Sequence, residues 1–339
     1  MKNQDIYTLG IESSCDDTSA SILLNDKVLS NVTSSQDIHK IYGGVVPELA
    51  SREHQKLITS VVNQAIIRSG ITKNELNVVA FTRGPGLLGS LLVGTSFAKS
   101  LSIGLNIPLI EVNHMKAHIL SIFIKNNGNA PSFPFLALTV SGGHTQLVIV
   151  KDYFKMEEIG STLDDAVGEA FDKSGKTIGL DYPSGPIIDK LSKKGDANAF
   201  TFTKPKVKGL NFSFSGLKTG FMNFIKKESL KNKDFIKDNI HDICASIQNT
   251  IIQILIDKLT DAVKITGIKD IVICGGVSAN SELREKMNDL SIKNTWNVYF
   301  PKIEYCTDNA AMIGIVGYLK YKSQEISDLS CSSTSSYKI

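Results

Sequence analysis

Paired cysteines are missing from this sequence. Its five, Cys15, Cys244, Cys274, Cys306 and Cys331, are odd in number, widely spaced and form no CxxC pair. That argues against a disulfide framework and against a cysteine zinc site, and reduced thiols are expected. Long apolar runs are missing too. No uninterrupted stretch of about 18 apolar residues is found, so no membrane span is expected. The opening MKNQDIYTLGIESS runs almost directly into a strand-like segment, with no room for a signal or transit peptide. The cytoplasm is the expected location. Net charge is small as well, +3 from 37 basic and 34 acidic residues. What is there, 339 residues at 42% hydrophobic and 21% charged, is a globular composition long enough for two domains.

The small net charge hides an uneven one. Residues 190–237 carry 12 lysines against three acids, Asp196, Glu228 and Asp234, on an otherwise slightly acidic chain. Such a block suits a polyanionic partner; a solvated helix face plus loop is the ordinary alternative. Lys204, Lys206 and Lys208 in TKPKVKG, beside Pro205 and Gly209, are the candidate phosphate contacts, with Lys193 and Lys194 upstream.

Two segments resemble each other. Residues 6–24 (IYTLGIESSCDDTSASILL) and 135–150 (FLALTVSGGHTQLVIV) both read as apolar strand, small polar turn, apolar strand. Each is a hairpin candidate, and together they suggest a duplicated fold. NNGNAPS (126–132) reads as a linker between them. Elsewhere helix and strand patterns alternate: EHQKLITSVVNQAIIRSG as a helix stopping at Gly70, LNVVAFTRGPG as a strand, GSLLVGTSFAKSLSIGL as a helix, IPLIEVN as a strand. In the second half DICASIQNTIIQILIDKLTDAVKITG is a long helix, IKDIVICGGVSAN a buried strand with a glycine turn, and SELREKMNDL a helix. This alternation predicts an α/β protein with largely covered sheets. The Ser-rich tail from Ser327 is expected to fray.

Glycine- and serine-rich turns let backbone N–H groups approach an anion. VSGGHT (140–145) and CGGVSAN (274–280) offer such turns, as does the first hairpin. Three of them in a repeated α/β chain point to nucleotide binding, although any tight hairpin uses glycine. EVNHMKAHIL places His114 and His118 four apart, on one face if the segment is helical. Both imidazoles could then reach one metal ion, but an ion usually needs a third protein ligand, and a lone HxxxH is more often structural. An HExxH peptidase would carry its general base directly after the first histidine, where this chain has Met115. Asp308 in FPKIEYCTDNAAMIG is a candidate third ligand. Its ordinary role, or that of Thr307, would be to cap the small-residue helix that follows. Nothing in the sequence alone brings it to the histidines.

Taken in order, GIESSCDDTS, SSQDIHKIYGGVVPELASREH, GPGLLGSLLVG, NHMKAHI, VSGGHTQL, LDDAVGEAFDKSGKTIGLDYPSGP, FSFSGLKT, GGVSAN and CTDNAAMIG resemble the universal tRNA threonylcarbamoyladenosine synthesis family, bacterial TsaD type. Its members were once labelled O-sialoglycoprotein endopeptidases. The resemblance runs from about Tyr7 to Tyr318. It implies a duplicated actin/sugar-kinase/Hsp70-like ATPase fold with nucleotide and metal in the cleft between two lobes. The lobes would be 1–130 and 131–326, the latter with the lysine-rich insertion at about 190–237, followed by a flexible tail at 327–339. It implies an acyltransferase that moves the threonylcarbamoyl group from threonylcarbamoyl-AMP to N6 of the adenosine just 3′ of the anticodon, in tRNAs reading codons beginning with A.

Carried over by position, His114, His118 and Asp308 match the family's metal ligands, for one divalent ion, iron or zinc. Thr139, Val140, Ser141, Gly142, Gly143, Asp172, Gly185, Asp189 and Asn280 match its nucleotide and substrate contacts, with ATP or ADP a further occupant. Asp16 matches an acidic residue suspected in catalysis. The implied partners are tRNA, which the lysine block would meet, a TsaB-type paralogue and a TsaE-type P-loop ATPase, with no membrane. Some positions depart from the bacterial pattern: Lys116-Ala117 between the histidines, Asp17 where Glu is common, and Ser184 where Gly is usual, which would crowd a ribose site slightly. Leu138-Thr139 stands where archaeal and eukaryotic relatives have a metal-ligating Tyr. A nucleotide-gated scaffold and a metallopeptidase are the competing readings.

Overall fold

Each hairpin read from the sequence forms, and each seeds a five-stranded sheet in the computed structural model, which describes residues 5–125 and 129–339. Part of the expected linker at 126–132 therefore lies outside the described residues. In the first sheet β1 (Tyr7–Glu12) pairs antiparallel with β2 (Asp17–Leu24), and β2 with β3 (Lys27–Ser35). On its other side β1 runs parallel to β4 (Val78–Gly84), and β4 to β5 (Leu109–Asn113). The second sheet repeats this. β6 (Phe135–Val140) pairs antiparallel with β7 (Thr145–Val150), and β7 with β8 (Met156–Ser161). β6 then runs parallel to β9 (Asp270–Cys274), and β9 to β10 (Asn297–Tyr299). Equal strand order and equal strand directions are what a duplicated α/β fold requires, as the two similar hairpins predicted. The third strand of each meander, β3 and β8, was not legible, because both are half-exposed and lack a clean apolar run.

The chain divides into two units, Met1–Ala130 with Pro301–Ile339, and Pro131–Phe300. In the first, α1 (Ile38–Tyr42), α2 (Pro47–Ser69), α3 (Leu88–Leu105) and α4 (His114–Leu120) are joined by α10 (Ala310–Lys322). The expected lobe boundary at residue 326 is thus misplaced: α10 packs on β1, β2 and β4 rather than on the second sheet. Its small residues explain the choice. A Cβ on Gly10 of β1 would collide with the Ala310 carbonyl, and one on Gly317 would collide with Ala80 of β4. Such close backbone approach is the use of glycine here.

The tail is not frayed either. Ser327 N donates to the Leu109 carbonyl (2.9 Å), Thr334 N to the Arg83 carbonyl (3.0 Å), and Arg83 lies 4.9 Å from the Tyr337 ring centre. The first of these bonds is to β5, the edge of the sheet, whose exposed backbone groups need covering, and the other two contacts are to the end of β4. The helix α3 is apolar but packs within the first unit. By length and mean hydropathy (1.3) it would suffice to cross a membrane; Ser, Thr, Gly and Lys99 interrupt its apolar residues, so no continuous run shows. Here it packs on α2 and β4, burying Leu91, Gly94 and Ala98.

The second unit holds α5 (Val167–Thr177), α6 (Gly185–Ser192), α7 (Ser215–Lys231), α8 (Phe235–Thr266) and α9 (Ser281–Asn294). Phe171, Phe212, Phe214 and Phe221 pack with the apolar face of α8 in its core. Fully burying each such ring contributes roughly 1.5–3 kcal/mol.

Candidate metal centre and nucleotide turns

Asn113 starts the helix that carries the histidines. Its Oδ1 accepts from Met115 N (2.9 Å) and Lys116 N (3.0 Å), satisfying donors that a helix start leaves open. His114 and His118 then fall one turn apart, ring centres 4.7 Å from each other and edge to face. Asp308 reaches both from the segment before α10: its Oδ1 is 3.1 Å from His118 Nε2 and 3.4 Å from His114 Nε2. Neither Thr307 nor Asp308 caps α10. Asn309 does, accepting from Met312 N at 3.1 Å. Asp308 is therefore left for the histidines. One ligand atom from each of the three lies within 4.8 Å of the others.

Behind His114 stands a residue the sequence did not reveal. Glu12, at the end of β1, is fully buried and accepts from Ser14 N (2.5 Å), Thr82 Oγ1 (2.7 Å) and His114 Nδ1 (3.0 Å). With Nδ1 held as donor, Nε2 is turned to Asp308. Burial alone would lower the His114 pKa, but the charges of Glu12 and Asp308 outweigh it and hold the pKa well above the usual imidazole range. Burial likewise would raise Asp308, and His114 and His118 hold it well below the carboxylate range instead. In this arrangement a proton on Nε2 stands where a cation is wanted. His118 Nδ1 is buried with no hydrogen-bond partner among the described residues. Two imidazoles and one carboxylate with surplus acid around them suit zinc or ferrous iron, so the residues present fit the ion.

In the second unit, β6 delivers Thr139 and Val140, both fully buried, into a turn closed by Ser141 N to the His144 carbonyl (2.9 Å) and His144 N to Ser141 Oγ (3.1 Å). Gly142 and Gly143 at its tip are exposed, and a Cβ on either would meet nothing within 4 Å. The start of α5 closes on the turn: Gly168 N donates to the Ser141 carbonyl (3.1 Å), and a Cβ on Gly168 would sit 2.7 Å from that oxygen and from Gly142 Cα. Gly168 is a second residue the reading missed. Asp172 on α5 accepts from Ser184 N (2.7 Å), anchoring the start of α6 at Gly185. The expected crowding by Ser184 takes another form, since its side chain is buried and donates to the Asp181 carbonyl at 2.9 Å. Asp189 on α6 accepts from Ser281 Oγ (2.8 Å), and Asn280 caps α9 by accepting from Leu283 N (3.0 Å). The nine expected contact residues all fall in this unit and the three metal-site residues in the other.

Comparison with known proteins decides the family. A model of TsaD, tRNA N6-adenosine threonylcarbamoyltransferase, matches residues 27–315. The chain belongs to this family. It is 60% identical to the tRNA N6-adenosine threonylcarbamoyltransferase of Christiangramia forsetii over 339 residues, all of both chains. It is 60% identical to that of Riemerella anatipestifer over 332 residues, 98% of this chain and 97% of the relative. Among solved structures it is similar in fold, at 15% identity, to component A of the (R)-2-hydroxyglutaryl-CoA dehydratase of Acidaminococcus fermentans (TM-score 0.54, 94% of this chain and 99% of that one). It is likewise similar to full-length HypF (TM-score 0.58, 15% identity, 96% and 47%). The fold is thus the actin/Hsp70-like ATPase fold, and the chain is an acyltransferase by family.

Two further groups of this threonylcarbamoyltransferase chain were expected to act. Asp16 lies half-buried between β1 and β2, where burial and the Asp16 charge together push the Cys15 thiol far up. Beside it, burial and the charges of Asp308, Asp16 and Glu12 outweigh a bond from Ser35 and push the Asp17 pKa up to about 7. Lys204, Lys206 and Lys208 are exposed, as expected. Lys204 Nζ sits 2.6 Å from Asp257 Oδ2, and Lys258 ties the loop to α8 by donating to the Val207 (3.0 Å) and Gly209 (2.5 Å) carbonyls.

Proposed function

We propose that the chain carries out the family's reaction on the adenosine just 3′ of the anticodon, in tRNAs that read codons beginning with A, with threonylcarbamoyl-AMP as donor. The N6 amine forms a bond to the carbamoyl carbon, the bond from that carbon to the AMP phosphate oxygen breaks, and the amine gives up a proton. An exocyclic adenine amine is a weak nucleophile, so positioning carries much of the acceleration. His114, His118 and Asp308 would hold one iron or zinc ion, with Glu12 fixing His114. When bound, that ion supplies positive charge to a substrate oxygen. Thr139 to Gly143, with Asp172, Gly185, Asp189 and Asn280, would take the nucleotide, and ATP or ADP is a second ligand of those residues. Asp16 would accept the amine proton. Lys204, Lys206 and Lys208 would meet tRNA phosphates. A TsaB-type paralogue and a TsaE-type P-loop ATPase complete the system, in the cytoplasm.

The observation that carries this reading is the convergence of two Nε2 atoms on one Asp308 oxygen in a chain of this family. A scaffold would not need it, and a peptidase would need a base where the buried Met115 stands. The test is mass spectrometry of nucleosides from tRNA incubated with the protein, both partners, ATP, threonine and bicarbonate, alongside elemental analysis. Modified adenosine is expected with wild type and is lost, together with the metal, in the His114→Ala/His118→Ala variant. Full metal content in that variant overturns the ligand assignment, and no modification by wild type overturns the enzymatic one.

A further inference from the structure

One buried amide of the second unit has no part in the roles above. Gln248 on α8 is 1% exposed, between the apolar Ile247 and Ile251, where an amide without partners would be costly. Its two Nε2 hydrogens face three acceptors, Ser192 Oγ (2.9 Å), Glu282 Oε2 (3.0 Å) and, at longer range through a shared hydrogen, Asp189 Oδ1 (3.3 Å). Its Oε1 accepts from Asn280 Nδ2 at 2.7 Å. A single side chain therefore joins α6, the segment after β9 and the first turn of α9. Glu282 is held in turn by Lys286 at 2.7 Å.

Two of those partners, Asp189 and Asn280, belong to the nucleotide contacts proposed above. Asn280 uses Oδ1 to cap α9 and one N–H on Gln248. A carboxamide has two N–H groups and two lone pairs on oxygen, so one of each remains. Asp189 Oδ1 is occupied by Ser281 and Gln248, while Oδ2 has one long contact, 3.3 Å from Ser281 N. What remains is a donor and an acceptor on Asn280 and a carboxylate oxygen on Asp189, a set that two neighbouring ribose hydroxyls satisfy.

We infer that Gln248 is the positioning residue for a ribose diol: its amide locks Asn280 and Asp189 in one arrangement before ligand arrives. Fixing both in advance removes part of the ordering cost of binding. The inference rests on the nucleotide reading of this unit and adds the residue that holds its contacts in place.

The experiment is calorimetric titration of the full-length protein with AMP and with its 2′,3′-dideoxy analogue, for wild type, Gln248→Met, Asn280→Ala and the double variant. Wild type is expected to prefer AMP. Gln248→Met is expected to bind AMP about tenfold more weakly and to lose the preference over the dideoxy analogue. The double variant should lose less than the sum of the two single losses, because Gln248 acts largely through Asn280 and only in part through Asp189. If wild type does not bind AMP, the nucleotide reading itself falls and this inference with it. If wild type binds but Gln248→Met keeps its affinity, or loses both ligands by the same factor, only the inference is overturned. Should Gln248→Met fail to fold by circular dichroism, Gln248→Glu replaces it in the same comparison, since it keeps the shape and sets a carboxylate against Asp189 and Glu282.

Discussion

Replacing Asp17 with asparagine should stabilise the metal-free protein, and by an amount that grows with pH. Asp17 opens β2 with burial and three nearby carboxylates acting on it, so its pKa is pushed from 3.8 up to about 7. The folded state thus keeps a proton that the unfolded chain releases above the ordinary value. Wherever the folded state binds more protons, stability falls as pH rises, at about 1.4 kcal/mol per pH unit for one proton. The fall begins near the unfolded value and is complete above the folded one. Between pH 5 and pH 8 roughly two units of that window remain, or about 3 kcal/mol. The amide of the Asp17→Asn variant carries no such proton, so its advantage over wild type should widen by about 3 kcal/mol over that range and then level off. Urea unfolding of chelator-treated protein, followed by circular dichroism at pH 5, 6, 7 and 8, measures it. Because the Asp308 charge is one cause of the shift, an Asp308→Asn background should move the step to lower pH. A stability difference that stays constant from pH 5 to 8 would refute the reasoning.

Glu12→Gln keeps the shape of the buried side chain but removes the charge behind His114, and should weaken zinc binding about 10–100-fold in a chelator competition. Unchanged affinity would mean that the His114 ring is set by packing alone. Gly143→Val should abolish nucleotide binding in calorimetry while leaving the melting temperature close to wild type, because a Cβ there meets no protein atom; retained affinity would make VSGGHT a plain hairpin. Gly168→Val, by contrast, should destabilise the second unit, since its side chain would press on the Ser141 and Gly142 backbone. For tRNA, Lys206→Gln/Lys208→Gln should flatten the log–log salt dependence of binding by about two units. Adding Lys204→Gln should bring the loss toward about three, if Lys204 exchanges Asp257 for a phosphate. A wild-type slope in the triple variant would move tRNA to another surface.

The parts legible in the sequence were those fixed by local pattern. Two apolar-turn-apolar hairpins betrayed the duplicated sheets, and the four-residue spacing of His114 and His118 set both rings on one turn of α4. Long-range pairing was not legible. Glu12 reads as one more strand-end residue until the fold places it 3.0 Å from a ring 102 positions away. Gln248 is lost in the apolar pattern of α8 for the same reason. The family motifs supplied Asp308, which spacing could not reach. The lobe boundary was misplaced because the small residues of the last helix do not say which sheet it packs on, and the tail was misread because its serines mark a fraying end by composition. In the fold those same residues let α10 approach β1 and β4 closely and cover the edge at β5.

The order in which the ribosome delivers these parts has its own consequence. His118 and Asp308 stand 190 residues apart, and Pro131–Phe300 is synthesised between them. A nascent chain can complete that middle unit while the earlier sheet still lacks α10 and its carboxylate. The histidine pair emerges early and stays a two-nitrogen fragment until the last segment arrives and docks. With the ligation proposed above, tight ion capture would coincide with docking of α10, and loaded metal would report that translation has passed residue 308.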